Sequence, residues 1–89
     1  MRTEFKKSFA RDLRSRKNDR KFLDCVKEII EDVECADTII DISDLRKLKG
    51  ESNYYRIRFG SYRIGVRIEG DLVHFIRVLH RKDIYRYFP

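Results

Sequence analysis

Four arginines alternate with apolar residues along two neighbouring stretches of the sequence, residues 54–59 and 62–68. Successive side chains of a β-strand point to opposite faces, so each stretch separates its arginines from its aliphatic and aromatic residues. The arginines concerned are Arg56, Arg58, Arg63 and Arg67. A guanidinium group is planar, stays charged and can hold two anionic oxygens at once, which suits phosphate. The spacing therefore predicts a phosphate-binding face on a β-hairpin.

Two turns are predicted to connect this hairpin to a third strand. Gly60 and Ser61 fit a two-residue turn whose first central residue has a positive φ. Residues 69–71 form a second turn signal before residues 72–79, which are rich in β-branched and aromatic residues. Continued alternation assigns one parity, the arginine face, to Val73, Phe75, Arg77, Leu79 and Arg81, and the helix-covered face to Leu72, Ile76 and Val78.

Helices are predicted to support the sheet from the side opposite the arginines. Ser8 is a candidate N-cap for a first helix carrying Arg11, Arg14 and Arg16, and Asp19 is one for a second helix. In residues 20–34 apolar side chains recur at one-face helical spacing. Residues 37–50 are expected to form a turn or short helix, followed by a connector at residues 45–50. We therefore expect an α+β fold, in which an N-terminal helical hairpin packs on one face of a small antiparallel sheet, with a strand in residues 1–6 as an optional addition and a short C-terminal helical turn.

Charge is distributed unevenly along the 89 residues, which we expect to form one domain, residues 1–89. The net charge is +6, yet residues 24–44 carry eight acidic residues and one basic residue, so this segment is −7 and the rest is +13. We expect the acidic helix to lie behind the sheet and the basic face to meet an anionic partner.

The remaining composition predicts a cytoplasmic protein with neither a metal nor another cofactor. Cys25 and Cys35 are ten residues apart on one predicted helix, about 15 Å along its axis, which is too far for a disulfide. We expect both thiols to be reduced. No partner residues stand at metal-ligand spacing, and no apolar run approaches the length of a membrane span.

Several short segments together resemble the RelE/ParE superfamily of bacterial type II toxins. They are Leu48-Lys49-Gly50, Tyr55-Arg56-Ile57-Arg58, Tyr62-Arg63-Ile64, Glu69-Gly70-Asp71 and the segment from Arg77 to Tyr85, Arg-Val-Leu-His-Arg-Lys-Asp-Ile-Tyr. The resemblance follows the order of elements along the whole chain and implies a toxin that is neutralised by a cognate antitoxin protein. RelE-like members cut mRNA in the ribosomal A site without metal, so the resemblance also implies mRNA and the ribosome as partners.

The resemblance assigns roles to individual residues. Arg56 and Arg58 match the family's basic pair, Arg63 its phosphate-clamping arginine, Arg81 its candidate acid or charge stabiliser, and Tyr85 its base-stacking tyrosine. With His80, these form the predicted catalytic set. The predicted RNA-binding set is Lys47, Lys49, Arg67, Arg77, Lys82 and Tyr87.

The identity of a general base stays open at this point. The best-studied RelE-type pattern has lysines where Arg56 and Arg58 stand, and arginine is very hard to deprotonate. The hairpin is therefore expected to clamp phosphate without taking a proton. His80 is the first candidate base because imidazole titrates near neutrality, and the others are Asp83, Lys49 and Glu51.

Other interpretations of the arginine face compete with this one. Arginines on an exposed sheet can simply deter edge-to-edge aggregation. A ParE-like inhibitor of DNA gyrase shares the C-terminal segment, and an inactive RNA-binding relative would keep the same face. The density of arginines at matched positions favours the ribosome-dependent endoribonuclease.

Overall fold

The computed structural model describes residues 1–89, in which one strand and two helices precede a run of four strands and a last short helix. The strands are β1 (Arg2–Phe5), β2 (Leu45–Lys47), β3 (Tyr54–Phe59), β4 (Tyr62–Glu69) and β5 (Leu72–His80). The helices are α1 (Lys7–Arg14), α2 (Arg20–Cys35) and α3 (Ile84–Tyr87), with a 3-10 turn at Ile39–Asp41. The predicted α+β class and the C-terminal helical turn are thus confirmed.

The five strands form one mixed sheet in the order β1-β5-β4-β3-β2. The predicted hairpin β3–β4 and the return strand β5 are antiparallel, and Gly60 has the expected positive φ of 54°. The prediction of a purely antiparallel sheet is wrong, because β1 pairs with β5 in parallel. The predicted connector at residues 45–50 is also wrong in part, since Leu45–Lys47 adds β2 beside β3.

Helix α1 covers the edge of β5 beyond the point where β1 stops. β1 pairs only with residues 72–75 of β5. Farther along, the Ser8 hydroxyl donates to the Ile76 carbonyl, and the Asp12 carboxylate accepts from the Val78 N–H at 3.0 Å. Ser8 is therefore not the N-cap, which falls at Lys6 with no side-chain bond. Since its polar side chains are bound to β5, α1 is attached to the sheet edge and is not just one arm of the predicted helical hairpin.

Helix α2 closes the hydrophobic core on one face of the sheet. Asp19 caps it as predicted, accepting from the Phe22 N–H at 3.1 Å. Phe22, Val26 and Val33 are the buried residues of α2. They join Phe9 of α1 in a core with the inward residues of the sheet, Ile57, Ile64, Val66, Ile68, Val73, Phe75 and Val78, together with Ala36 and Ile42. No helix here combines the length and the apolar character that crossing a membrane requires.

A bulge in β5 changes which side chains face the core. Gly65 pairs with Arg77 while Val66 pairs with Phe75, so Ile76 has no partner on β4. The extra residue reverses the alternation. Val73 and Phe75 are consequently fully buried with Val66 and Ile68, whereas strict alternation put them on the arginine face, and the assignment of Leu72 and Ile76 to the core face is wrong. Val78 is buried, as predicted.

Candidate nucleic-acid interface

Four arginines and a tyrosine gather on the sheet face opposite α1 and α2, and we call them the arginine cluster: Arg56, Arg58, Arg63, Arg81 and Tyr85. Arg58 lies directly opposite Arg63 in the β3–β4 pair, and Arg56 is opposite Gly65. Arg81 follows the end of β5, where its N–H donates to the Ser61 carbonyl at 2.7 Å. The strand pairing and the Arg81–Ser61 bond therefore fix the backbone positions from which these side chains extend.

The pKa of the Arg63 guanidinium is shifted by its burial and by the other members of the cluster. Burial lowers the pKa of its guanidinium, and the positive charges of Arg56, Arg58 and Arg81 lower that pKa further, while Tyr85 opposes them. One terminal nitrogen of Arg63 donates to the carbonyls of Gly60 at 3.1 Å and Tyr62 at 2.9 Å. The other nitrogens have no partner within the protein and are available to an anion.

Asp44 belongs to the acidic segment, residues 24–44, yet it lies beside the arginine cluster. Its backbone has a positive φ of 61°, which is uncommon for a residue other than glycine. Its carbonyl accepts from Arg56 at 3.4 Å, and its carboxylate lies 3.7 Å from a terminal nitrogen of Arg58. Asp44 is therefore an exception to the predicted separation of acidic and basic sides.

Arg46 also belongs to the arginine face and was missed. It pairs with Arg56 across β2 and β3, whereas Lys47 pairs with Tyr55 on the other face. A polar depression of about 140 Å³ lies among Asp44, Arg46 and the β3 arginines. Alternation in residues 45–47 would have identified Arg46 once that segment was recognised as a strand.

The C-terminal segment divides the arginine face into two parts. The ring of Phe88 is buried against Gly65, and Tyr54 meets it at a centroid distance of 5.6 Å. Arg67 lies two residues beyond Gly65 and is ion-paired with Glu69 at 3.3 Å. Arg67, one of the predicted RNA-binding residues, therefore lies on the far side of Phe88 from the arginine cluster.

Arg77 is occupied by contacts inside the protein. Its guanidinium donates to the Asp12 carboxylate at 2.8 and 3.1 Å and lies 5.7 Å from the centre of the Tyr87 ring. The hydrogen bonds and the charge of Asp12 raise the pKa of Arg77 against the opposing effect of burial. This ion pair joins α1 to β5.

His80 lies apart from the cluster that it was predicted to serve. It pairs with Tyr62, whose parity is that of the buried Ile64, and the two rings meet edge to face at 5.7 Å. Nδ1 of His80 accepts from the Lys82 N–H at 3.1 Å, so the neutral ring carries its proton on Nε2. The acceptor nitrogen of that tautomer is therefore already engaged by the backbone of Lys82.

The other predicted residues are spread over the surface. Tyr85 and Tyr87 of α3 are 60% and 54% exposed, which leaves both rings able to stack on a base. Lys82 is exposed beside the cluster, and Lys49 is exposed in the loop between β2 and β3. Asp83 is half-buried and Glu51 exposed. The structure thus brings together five of the six predicted catalytic residues and separates His80 from them.

Comparisons with known proteins agree with this architecture. Residues 3–85 match the model of a family described as the ParE toxin of the type II toxin–antitoxin system parDE. The chain is 44% identical to Toxin RelE3 of Methanocaldococcus jannaschii, and the alignment covers 100% of both proteins.

Two crystal structures of complexes contain similar chains. One is the RelB–RelE antitoxin–toxin complex from Methanococcus jannaschii, with a TM-score of 0.71, 43% identity and coverage of 96% of this chain and 98% of that one. The other is the toxin–antitoxin complex RelBE2 from Mycobacterium tuberculosis, with a TM-score of 0.61, 27% identity and coverage of 90% and 96%.

The α+β fold with its cationic sheet face defines a RelE/ParE superfamily toxin, which confirms the resemblance drawn from the sequence. Within that superfamily, the chain belongs to the ParE toxin family of type II toxin–antitoxin systems.

Proposed function

We propose that this toxin is a ribosome-dependent, metal-independent endoribonuclease that cuts mRNA in the ribosomal A site and so inhibits translation. The observation that carries the proposal is the arginine cluster. Like charges placed opposite each other on neighbouring strands cost stability, typically about 0.2–1 kcal/mol per pair. Arg58 faces Arg63 across the hairpin despite this cost, and a bound phosphate would remove it.

The chemistry we propose is attack by a ribose 2′-oxygen on the adjacent phosphorus. The bond to the 5′-oxygen breaks, leaving a cyclic phosphate and a 5′-hydroxyl, and the departing oxygen takes a proton from water. Arg63 holds the phosphate, and Arg56 and Arg58 stabilise the extra negative charge of the pentacoordinate state. Arg81 stabilises the leaving oxygen, and Tyr85 stacks on a neighbouring base to align the attack.

We do not retain His80 as the base for the 2′-hydroxyl. His80 is on the other side of the sheet and its Nδ1 accepts from the Lys82 N–H, so we propose that it takes no proton from the substrate. Solvent takes up the 2′ proton instead, and the surrounding cations stabilise the 2′-oxyanion that is left. Base catalysis typically raises a reaction rate by about 10²–10⁴-fold, so a site without a positioned base can still cut an aligned substrate at a lower rate.

RNA outside the cleaved bond is proposed to contact the exposed cations and aromatic groups around the cluster. Lys49, Lys82 and Tyr87 keep that proposed role, and Arg46 takes the place of Lys47 on the arginine face. Arg67 and Arg77 contribute positive potential more than direct contacts, because each is already paired with a carboxylate.

A cognate antitoxin is the protein partner we propose for this chain. Two of the similar structures are complexes of a toxin with its antitoxin, one of them with RelB. An antitoxin segment that carried carboxylates over the arginine cluster would neutralise the charges that phosphate otherwise meets. The toxin is proposed to act in the cytoplasm, where the ribosomes are.

Inhibition of DNA gyrase is the second candidate, because the matching family model is that of the ParE toxin of parDE. In that case the arginine face would bind a protein or DNA and would catalyse nothing. A third candidate, an RNA-binding relative without activity, is consistent with the absence of a placed base.

Expression of the toxin with and without its antitoxin, followed by mapping of mRNA ends, separates these functions. Cleavage within translated codons, lost in Arg63→Ala and Arg81→Ala, supports the proposed function. Arrest with intact messages and reduced supercoiling would establish the gyrase alternative. RNA binding with neither effect would establish the inactive relative.

A further inference from the structure

A second basic surface lies where α1 turns into α2, and we call residues 14–21 the basic turn. It contains Arg14, Arg16, Lys17, Arg20 and Lys21 with one acidic residue, Asp19, so eight residues carry a net charge of +4. None of its basic side chains takes part in a salt bridge of the molecule. The carboxylate of Asp19 is itself used to cap α2. The positive charge of the basic turn is therefore uncompensated.

The basic turn forms an open concave surface. Residues 14–20 line a depression of about 560 Å³ without any hydrophobic residue. Arg14, Lys17, Arg20 and Lys21 are exposed around it. Such a surface can follow a phosphate backbone but offers nothing to an apolar ligand.

Arg16 connects the basic turn to the end of the sheet where the arginine cluster lies. Its guanidinium carbon is 4.6 Å from the centre of the Tyr62 ring and 5.3 Å from that of Phe22. Tyr62 in turn contacts His80, the residue before Arg81. The stacked arginine thus extends the cationic surface around the end of the sheet.

A cleft lined mainly by apolar groups, among them Phe22, Phe59 and Tyr62, lies between the two surfaces. Lys21 borders it at the start of α2, and Gly60 and Ser61 border it at the hairpin turn. The cleft has a volume of about 270 Å³. Since the Ser61 carbonyl accepts from the Arg81 N–H, the arginine cluster begins on the other side of this turn.

We infer that the basic turn is a second RNA-binding surface of the toxin and binds the phosphate backbone of RNA. It lies around the end of the sheet from the arginine cluster. This inference rests on the proposed action on RNA. The phosphates can belong to the message on either side of the cleaved bond or to ribosomal RNA. The proposed role explains why five basic residues are concentrated at a turn where solubility alone requires no such density.

The test compares two triple variants of the full chain that lose the same charge. Lys17→Gln with Arg20→Gln and Lys21→Gln removes three charges from the basic turn, and Lys6→Gln with Lys7→Gln and Lys27→Gln removes three exposed charges elsewhere. Arg20 and Lys21 are in the first turn of α2, where loss of positive charge favours the helix, so the basic-turn variant is expected to fold. Binding is measured as a function of salt concentration in two assays, one with ribosomes and one with a 12-nucleotide single-stranded RNA. At its cleavable position this RNA carries hydrogen in place of the 2′-hydroxyl, so it cannot be cut.

For the basic-turn variant, we expect the slope of log K against log salt to fall by about 2, at roughly 0.7 per lost phosphate contact on a single strand. The control variant should keep the wild-type slope. A loss with the short RNA identifies the message as the ligand, and a loss seen only with ribosomes identifies ribosomal RNA. Equal binding by both variants in both assays would overturn the inference. The binding assays do not depend on cleavage, so they test this inference separately from the proposed function. RNA binding through the basic turn, with no cleavage in the mapping of mRNA ends, would refute the proposed function and leave this inference intact.

Discussion

The ring of Phe88 rests on the backbone of Gly65, so close that a Cβ at position 65 would lie 2.7 Å from three ring carbons. Phe88 is only 3% exposed. Glycine is therefore required in the middle of β4 for the C-terminal segment to lie against the sheet. The contact holds the end of α3, the helix that presents Tyr85 to the arginine cluster.

Substitution of Gly65 by alanine should release this segment. We expect Gly65→Ala to lower the free energy of unfolding by about 1–3 kcal/mol, the usual cost of overpacking. Amide exchange of residues 84–88 should accelerate. Urea denaturation of a double-mutant cycle with Phe88→Ala checks the cause, since Gly65→Ala should cost little once the ring is gone. An undiminished cost in the Phe88→Ala background would contradict the proposed contact.

Removal of Arg63 should separate activity from stability. We expect Arg63→Gln to reduce single-turnover cleavage by about 10²–10³-fold, as for other lost transition-state donors. Its free energy of unfolding should stay equal or rise by up to about 1 kcal/mol, because Arg58 and Arg63 are like charges opposite each other. Arg11→Gln, an exposed arginine of α1, is the matched control. A clear loss of stability in Arg63→Gln would indicate a structural role instead.

The Asp12–Arg77 pair should contribute to stability and not to cleavage. Asp12→Ala leaves the Arg77 guanidinium and the Val78 N–H without their partner in a site where Asp12 is 8% exposed. We expect a loss of about 3 kcal/mol, the lower end for a broken buried pair. The exposed Asp24→Ala should change little. If Asp12→Ala and Asp24→Ala unfold at the same denaturant concentration, α1 is not held by this pair.

His80 provides a test of the missing base. Asparagine can keep an acceptor near the position of Nδ1 for the Lys82 N–H but cannot take a proton, so His80→Asn should retain cleavage within about tenfold of wild type. A general base would instead cost about 10²–10⁴-fold. Single-turnover rates between pH 5 and 8 measure both the size of the effect and any titration. A large loss together with the disappearance of a titration near neutrality would restore His80 as the base.

Asp44 should weaken the affinity of the arginine face for phosphate. Its carboxylate is 3.7 Å from Arg58, a distance at which opposite charges in water attract by about 1 kcal/mol. Asp44→Asn keeps a residue that tolerates a positive φ and removes the charge. We expect RNA to bind about two- to fivefold more tightly, measured by titration with the non-cleavable RNA. Asp24→Asn, an exposed residue of α2, is the control, and equal gains in both would show only a change in net charge.

The parts of the fold that were predicted correctly depend on neighbours in sequence. The hairpin β3–β4 follows from alternation on each side of Gly60, and the start of α2 follows from the cap by Asp19. Both signals act within a few residues, so no knowledge of distant segments was needed. The same local alternation placed Arg56, Arg58 and Arg63 on one face.

The errors arise where distant segments meet. The bulge at Ile76 has no signal in β5 itself, since it appears only in the register with β4. β2 is three residues long and becomes a strand by pairing with β3, which exposes Arg46 and not Lys47 on the arginine face. His80 is one residue from Arg81 in sequence, yet neighbouring strand residues point to opposite faces.

The sequence by itself determined the chemistry available to this toxin: a hairpin with arginines on one face, an acidic helix, and a tyrosine-bearing tail. Tertiary structure alone decided which of these groups share a site. Arg77 is paired with Asp12, 65 positions away, and Phe88 separates Arg67 from the arginine cluster. The physical reason is that charge and alternation are properties of single residues and short segments, whereas pairing and burial depend on segments that only the folded chain brings into contact.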